Sequence, residues 1–143
     1  MAKELAYAPL QTVPFNRNVL LYDTSIRGGN CILHREGSGV ATLRGSTNQR
    51  RALYLAIFTG NIALTEGETV GPISLAISVD GEPLAASTMT VTPAAVGDFF
   101  NVATVAIIEA PCGCCVTVSV RNVSEDEASV DVIGGKLTLH RIA

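Results

Sequence analysis

The chain has 143 residues, which suits one domain built around a single hydrophobic core. Apolar residues make up 48% of it and charged residues only 16%, a composition that excludes a disordered chain. The 10 basic and 13 acidic residues give a net charge of −3, which excludes the basic surface of a nucleic-acid-binding protein. No apolar run approaches the roughly 20 residues of a membrane helix, so we expect no membrane insertion. So few charges cover a folded surface of about 7,000 Å² thinly, and we expect part of that surface to be buried against other subunits.

Residues 1–12 precede the first predicted strand, and we interpret them as an N-terminal arm ahead of one domain over residues 13–143. The arm contains Lys3 and Glu4 but no apolar run before a small-residue cleavage site. We therefore expect no secretory signal. This predicts synthesis in a cytoplasm, with release by lysis or as part of a particle.

Alternation of apolar with polar or small residues is the main signal along the chain and predicts β-strands. It is seen in chain order at 19–21, 40–42, 73–79, 116–120 and 137–139. Glycine and proline fall between these runs, and Asp80-Gly81 is typical of a two-residue hairpin turn. Helix signals are weak, since Gly97 ends the one candidate turn that begins at Pro93. Eight to ten short antiparallel strands predict an all-β sandwich or barrel.

Two runs, 52–64 and 99–108, are apolar on both faces of the predicted strand. A strand that is apolar on both faces is buried on both. Its second face could lie under a loop of the same chain or against another subunit. The low charge content favours the subunit contact.

The order of the runs, from Pro14–Tyr22 to Leu137–Arg141, resembles the ten-stranded antiparallel jelly roll of the tumour-necrosis-factor and complement-C1q superfamily. Three stretches, at 34–39, 70–77 and 91–96, are also similar to small virion surface or decoration proteins of phages and prophages of Firmicutes. The resemblance implies a homotrimer and a place on a virion surface. The chain lacks the Gly-X-Y collagen stalk that many bacterial relatives carry.

Two sets of contact residues follow from this resemblance. Aromatic side chains of the two doubly apolar runs are the candidate trimer contacts, unless they fill the sandwich interior: Tyr54, Phe58, Phe99 and Phe100. Apolar residues of the arm are the candidates for attachment to a particle, unless the arm is a disordered tail: Leu5, Tyr7, Pro9 and Leu10. If the arm only attaches, deletion of residues 2–12 should abolish particle incorporation and leave a soluble trimer.

Four cysteines are the most conspicuous chemical feature, because Cys112, Cys114 and Cys115 lie within four residues. Cys31 with His34, and Cys112 with Cys115, could supply two pairs of zinc ligands. Neighbouring residues of an extended strand point to opposite faces, which opposes convergence of the cluster. Buried packing is the favoured interpretation, and we expect neither a metal nor a disulfide framework.

No arrangement in the sequence predicts catalysis. Nothing in the sequence places His34 or His140 beside the cysteine turn at 111–115, and a G-x-S-x-G nucleophile motif is missing. The paired carboxylates, such as Glu66 with Glu68, lie in predicted turns. We expect no catalytic residues, no cofactor and no metal.

These inferences predict a non-enzymatic structural protein, a trimeric jelly roll that decorates a phage or prophage particle. Its partners would be two further copies of the chain and a major capsid or other virion protein. The alternative is a receptor- or glycan-binding head on a virion or on a bacterial or spore surface. The chain has no Trp and its Phe and Tyr residues lie mostly in predicted strands, which counts against the alternative.

Overall fold

The computed structural model describes residues 2–26, 31–45, 51–113 and 115–143, and in these ranges nearly all regular structure is β. One 3-10 turn occurs at Ala85–Ser87, and no helix in these ranges is long and apolar enough to cross a membrane. The strands are β1 (Ala2–Tyr7), β2 (Gln11–Val13), β3 (Asp23–Ile26), β4 (Ile32–His34), β5 (Val40–Arg44), β6 (Arg51–Leu64), β7 (Ile73–Val79), β8 (Glu82–Pro83), β9 (Met89–Val91), β10 (Phe100–Pro111), β11 (Cys115–Asn122) and β12 (Val130–Arg141).

The strands form two six-stranded antiparallel sheets packed as a sandwich. Sheet 1 has the order β10-β6-β12-β1-β3 with β2 beside β12, and sheet 2 has the order β4-β5-β11-β7-β8 with β9 beside β7. The predicted all-β jelly-roll sandwich is confirmed. The described ranges contain twelve strands against the eight to ten predicted, because the first thirteen residues add two and the two-residue β8 adds another.

The predicted turn at Asp80-Gly81 joins β7 to β8. Ser78 pairs with Pro83 and Val79 with Glu82, so two residues connect the strands. Asp80 has φ of 51° and Gly81 has φ of 83°. Positive φ at both central residues is the requirement of a type I′ hairpin turn, which confirms the sequence interpretation.

The core lies between the inner faces of the two sheets. Alternate residues of β6 contribute to it. Even-numbered residues of this strand, among them Tyr54, Phe58 and Ile62, are fully buried. Odd-numbered residues point to the outer side of sheet 1, because successive side chains of a strand alternate between faces. The strand pairs along one edge with β10 and along the other with β12.

Residues 2–7 are a strand of the sandwich and not a separate arm. This strand, β1, pairs with β12 on one side and with β3 on the other. Leu5 lies opposite Leu137, and both side chains have no exposed surface. Deletion of residues 2–12 would remove an internal strand of sheet 1, so the soluble trimer expected of such a truncation is no longer expected.

The segment at 14–22 is also different from its prediction. It is not a regular strand. It leaves sheet 1 after β2, meets sheet 2 through one isolated bridge from Asn18 to Arg121, and returns to sheet 1 at β3; we call it the crossing segment. Val19 donates a backbone hydrogen bond to Val120 in sheet 2, and Leu21 donates one to Ser38. Val19 and Leu21 are buried, so their alternation reflects a crossing segment whose apolar side chains close the core.

Tyr54 is the buried polar anchor between β6 and sheet 2. Its hydroxyl donates to the carbonyl oxygen of Arg44 at 2.6 Å and lies 3.2 Å from that of Cys31. Burial raises the pKa of the Tyr54 hydroxyl above its ordinary value of 10.0. The neutral, hydrogen-bonded form is therefore the one that the fold stabilises.

We expect Leu5→Ala to lower the free energy of unfolding by about 2 to 5 kcal/mol, because it leaves a cavity between β1 and sheet 2. The matched control is Leu10→Ala, since Leu10 is 54% exposed and its truncation should change stability by less than about 0.5 kcal/mol. Urea denaturation of both variants measures the difference. Equal stability of the two would contradict the burial of β1.

The Tyr54 hydroxyl should make stability depend on alkaline pH. Its contribution is fully present below the ordinary tyrosine pKa of 10.0 and is lost as the pH rises through the higher folded-state pKa, because the unfolded chain ionises first. We expect the alkaline decline in unfolding free energy to be shallower in Tyr54→Phe than in the wild type. Denaturation from about pH 8 to about pH 11 tests this, with the partly exposed Tyr22→Phe as control. Parallel curves for wild type and Tyr54→Phe would contradict it.

Candidate functional site

The outer side of sheet 1 carries a band of apolar side chains on β6 and β10, which we call the outer apolar face. Its members all occupy odd positions: Leu53, Leu55, Ile57, Val105 and Ile107. Ile107 is 62% exposed and Val105 is 57% exposed, the highest values for large apolar side chains in the described part of the chain. Ile107 lies opposite Leu55 and Val105 opposite Ile57, so these four form two adjacent rows on one surface.

Charged side chains border the outer apolar face. Arg51 forms an ion pair with Glu109 beside the end that Leu53 occupies. On the neighbouring strands β12 and β1, Lys136 Nζ lies 3.9 Å from Glu4 Oε2. An apolar centre with a charged rim is the usual anatomy of a protein–protein interface.

The aromatic residues nominated from sequence as trimer contacts are not part of this face. Tyr54 and Phe58 have no exposed surface and point into the sandwich, which corrects their assignment as subunit contacts. Phe99 and Phe100 are 42% and 41% exposed and lie at the start of β10, at one end of the sheet. The sequence contained a usable signal, since the charged residues Arg51 and Glu109 occupy odd positions and charges point to solvent.

The residues nominated for particle attachment are divided by the structure. Leu5 is inside the core, so it is corrected to a packing residue. Tyr7, at the end of β1, lies against Tyr22 with ring centroids 4.4 Å apart and planes inclined by 45°. Pro9 and Leu10 are exposed in the turn between β1 and β2. Those two are the exposed members of the set, and Tyr7 is partly exposed.

The possible zinc ligands do not come together in the described residues, where no group of three or more His, Cys, Asp or Glu side chains is placed to hold a metal. His34 uses both ring nitrogens, with Nε2 2.9 Å from the Ser38 carbonyl oxygen and Nδ1 3.0 Å from Thr24 Oγ1. Since a carbonyl only accepts, Nε2 carries the proton and Nδ1 accepts from the threonine hydroxyl. Cys112 and Cys115 are exposed and Cys31 is partly buried, so the expectation of buried packing is wrong for Cys112 and Cys115. Cys114 lies outside the described residues.

A cleft lies beside the crossing segment at 14–22, and we call it the tyrosine cleft. Its volume is about 750 Å³, and it is lined by residues 7–22 in part and by the start of β5. Tyr7, Tyr22, Leu10 and Leu20 form its apolar walls, and Arg17 lies among its polar lining residues. Sequence reasoning missed this cleft because its walls come from segments brought together by the crossing, and no local pattern reports that.

No protein-family model matches the chain, and no curated protein matches it in sequence. Solved structures do match. The Eiger TNF from S. frugiperda has a TM-score of 0.70 at 10% identity, with 100% of this chain and 92% of that chain covered. The globular domain of zebrafish complement 1qA protein has a TM-score of 0.60 at 8% identity, with 99% and 97% covered. The chain therefore has the TNF/C1q-like jelly-roll fold, and identities this low show the fold alone.

Proposed function

We propose that this protein is a non-enzymatic structural protein that assembles as a homotrimer through the outer apolar face. The observation that carries the proposal is the exposure of Val105 and Ile107 on the outer side of sheet 1, beside Ile57 and Leu55 of the next strand. Exposed apolar side chains scattered singly are ordinary, whereas adjacent rows of them mark interaction sites. The likeness in fold to a TNF and to a C1q domain supports a trimer as the assembly.

The position of the face favours a closed ring of subunits. β10 is the edge strand of sheet 1, so the apolar surface runs up to an edge that carries unpaired backbone groups. A face and an adjoining edge are two different surfaces of one chain, which is the requirement of a heterologous interface that closes by rotation. Burial of about 800 Å² per partner would bring this contact to the usual size of a stable interface.

The polar chemistry of the fold supports a structural role. His34 already uses both ring nitrogens in hydrogen bonds. The buried polar side chain Asn122 is likewise occupied: its Nδ2 donates to the carbonyls of Val13 and Ala128. These groups hold the sandwich together, and none of them is poised over a cavity as a nucleophile or base.

The finer proposal is that the trimer decorates a phage or prophage particle and contacts a major capsid or other virion protein. It rests on the resemblance drawn from the sequence at 34–39, 70–77 and 91–96, and no family model or curated protein that matches the chain stands behind that resemblance. With Leu5 in the core, attachment through this end of the chain is limited to the turn that contains Pro9 and Leu10. The protein would then be located on the virion surface.

A second candidate function is a recognition head that binds a host glycan or surface protein. The tyrosine cleft favours it, because a concave site with aromatic walls and a few polar groups is the usual form of a small-ligand site. None of the residues that line the cleft belongs to the outer apolar face, so this function is compatible with the trimer.

The trimer is tested by Ile107→Arg, which places a charge at the centre of the outer apolar face. We expect light scattering to give about three times the 14.9 kDa chain mass for the wild type and a shift toward the monomer for the variant. The matched control is Leu33→Arg on β4, where Leu33 is 42% exposed outside the proposed interface. A monomeric wild type at micromolar concentration would overturn the trimer, and so would an Ile107→Arg trimer as stable as the control.

Particle attachment is tested by Leu10→Asp. Because Leu10 is exposed, the substitution should preserve the fold while reducing incorporation into particles at least about ten-fold. Immunoblots of gradient-purified particles measure incorporation, with Leu33→Asp as the control. Normal incorporation of Leu10→Asp would show that the turn is not the attachment site, and absence of wild-type protein from particles would overturn the decoration role.

A further inference from the structure

We propose that the tyrosine cleft binds an acidic sugar, with the sugar ring packed against Tyr22 and its carboxylate paired with Arg17. The proposal deepens the second candidate function. It does not depend on the trimer, because no residue that lines the cleft belongs to the outer apolar face. The cleft volume of about 750 Å³ lies within the range of roughly 300 to 1,000 Å³ that is typical of small-ligand sites.

The aromatic wall is held in place by the sheet. Ala6 pairs with Asp23 in the ladder between β1 and β3, so Tyr7 and Tyr22 are the next residues opposite one another. Their rings lie 4.4 Å apart between centroids. Tyr22 keeps 42% of its surface exposed, and its ring lies over Gly37, where a Cβ would be 3.6 Å from Cδ1. Tyr22 is thus an accessible aromatic side chain that packs against Tyr7 and Gly37.

The part of the cleft lined by Leu20 is held in place by the side-chain amide of Gln11. Gln11 Nε2 donates to the Leu20 carbonyl at 2.9 Å, and the Leu20 N–H donates to Gln11 Oε1 at 2.8 Å. This reciprocal pair ties β2 to the crossing segment and presents Leu20, which is 37% exposed, to the cleft. A site whose walls are held by such contacts needs little ordering when a ligand binds.

One part of the cleft lining requires a glycine, at Gly39. A Cβ at Gly39 would lie 2.6 Å from the Val19 carbonyl oxygen and 2.8 Å from Asn18 Cβ. The start of β5 can therefore approach the crossing segment only because this position has no side chain. That close approach brings residues 38–40 into the lining of the cleft.

The charge of the cleft selects the ligand. Arg17 is the one charged side chain among the described residues that line it, in a chain whose net charge is −3. It is exposed and makes no ion pair or side-chain hydrogen bond within the described ranges, so its guanidinium is available to a carboxylate. Tyrosine and leucine walls require an apolar ring face on the same ligand. A sugar that carries a carboxylate meets both requirements.

The chain offers an internal probe for this site. It has no Trp, and two of its three tyrosines line the cleft, so ligand binding should change the intrinsic tyrosine emission. We expect saturable changes with glucuronic acid or N-acetylneuraminic acid. Glucose should bind at least about ten-fold more weakly, because it lacks the charge, and acetate should give no saturation, because it lacks the ring. Inorganic phosphate tests whether the cleft takes any anion.

Two variants and one matched control assign the binding to the cleft. Arg17→Gln and Tyr22→Ala should each weaken binding of the acidic sugar at least about ten-fold, measured by calorimetry at unchanged thermal stability. Arg44→Gln should bind as the wild type does, because Arg44 is exposed at the far end of β5 from the cleft.

The proposal is overturned if neither acidic sugar binds below about 10 mM, or if Arg17→Gln binds as tightly as Arg44→Gln. It is also overturned if glucose or phosphate binds as well as the acidic sugars, since the first result would remove the charge requirement and the second the ring requirement. Light scattering on the same samples separates this outcome from the trimer, because a trimer that binds no sugar contradicts only the cleft.

Discussion

The pairing of β6 along both of its edges is the constraint on which the rest of the structure depends. Its fourteen residues lie between β10 and β12, so each side chain must point either into the sandwich or out of sheet 1. Both faces of this strand are apolar, and composition alone therefore does not decide between them. The ladder places Tyr54 and Phe58 inside and Leu55 and Ile57 outside. The core and the outer apolar face are two results of the same register.

The insertion of β1 between β12 and β3 also determines several other features of the structure. It completes sheet 1, buries Leu5 against the core and carries Tyr7 to the point where it meets Tyr22. In the same placement Leu5 is the one buried residue of β1, and the turn that follows at residues 8–10 is exposed. One end of the chain thus contributes to stability through Leu5, to the tyrosine cleft through Tyr7 and Leu10, and to the proposed attachment, which also uses Leu10.

The candidate surfaces were predictable to different degrees. The doubly apolar runs predicted a second face, and the structure exposes that face. The prediction that Tyr54 and Phe58 are subunit contacts was wrong, because these large aromatic side chains fill the interior of the sandwich. The charged residues Arg51 and Glu109 occupy odd positions, and this indicated that the odd-numbered side chains point outward. The tyrosine cleft was beyond prediction, because Tyr22 and Leu10 are neighbours only through the crossing segment.

By itself, the sequence determined the class of fold, the hairpin at Asp80-Gly81 and the presence of more apolar surface than one core uses. These properties depend on local alternation, turn chemistry and composition, which are written within a few residues of one another. Only the tertiary structure decided which apolar face is buried, that residues 2–7 are a strand, and where the cleft lies. Each of these depends on pairing between distant segments, such as β1 with β12, and a one-residue change of register would reverse every side chain involved.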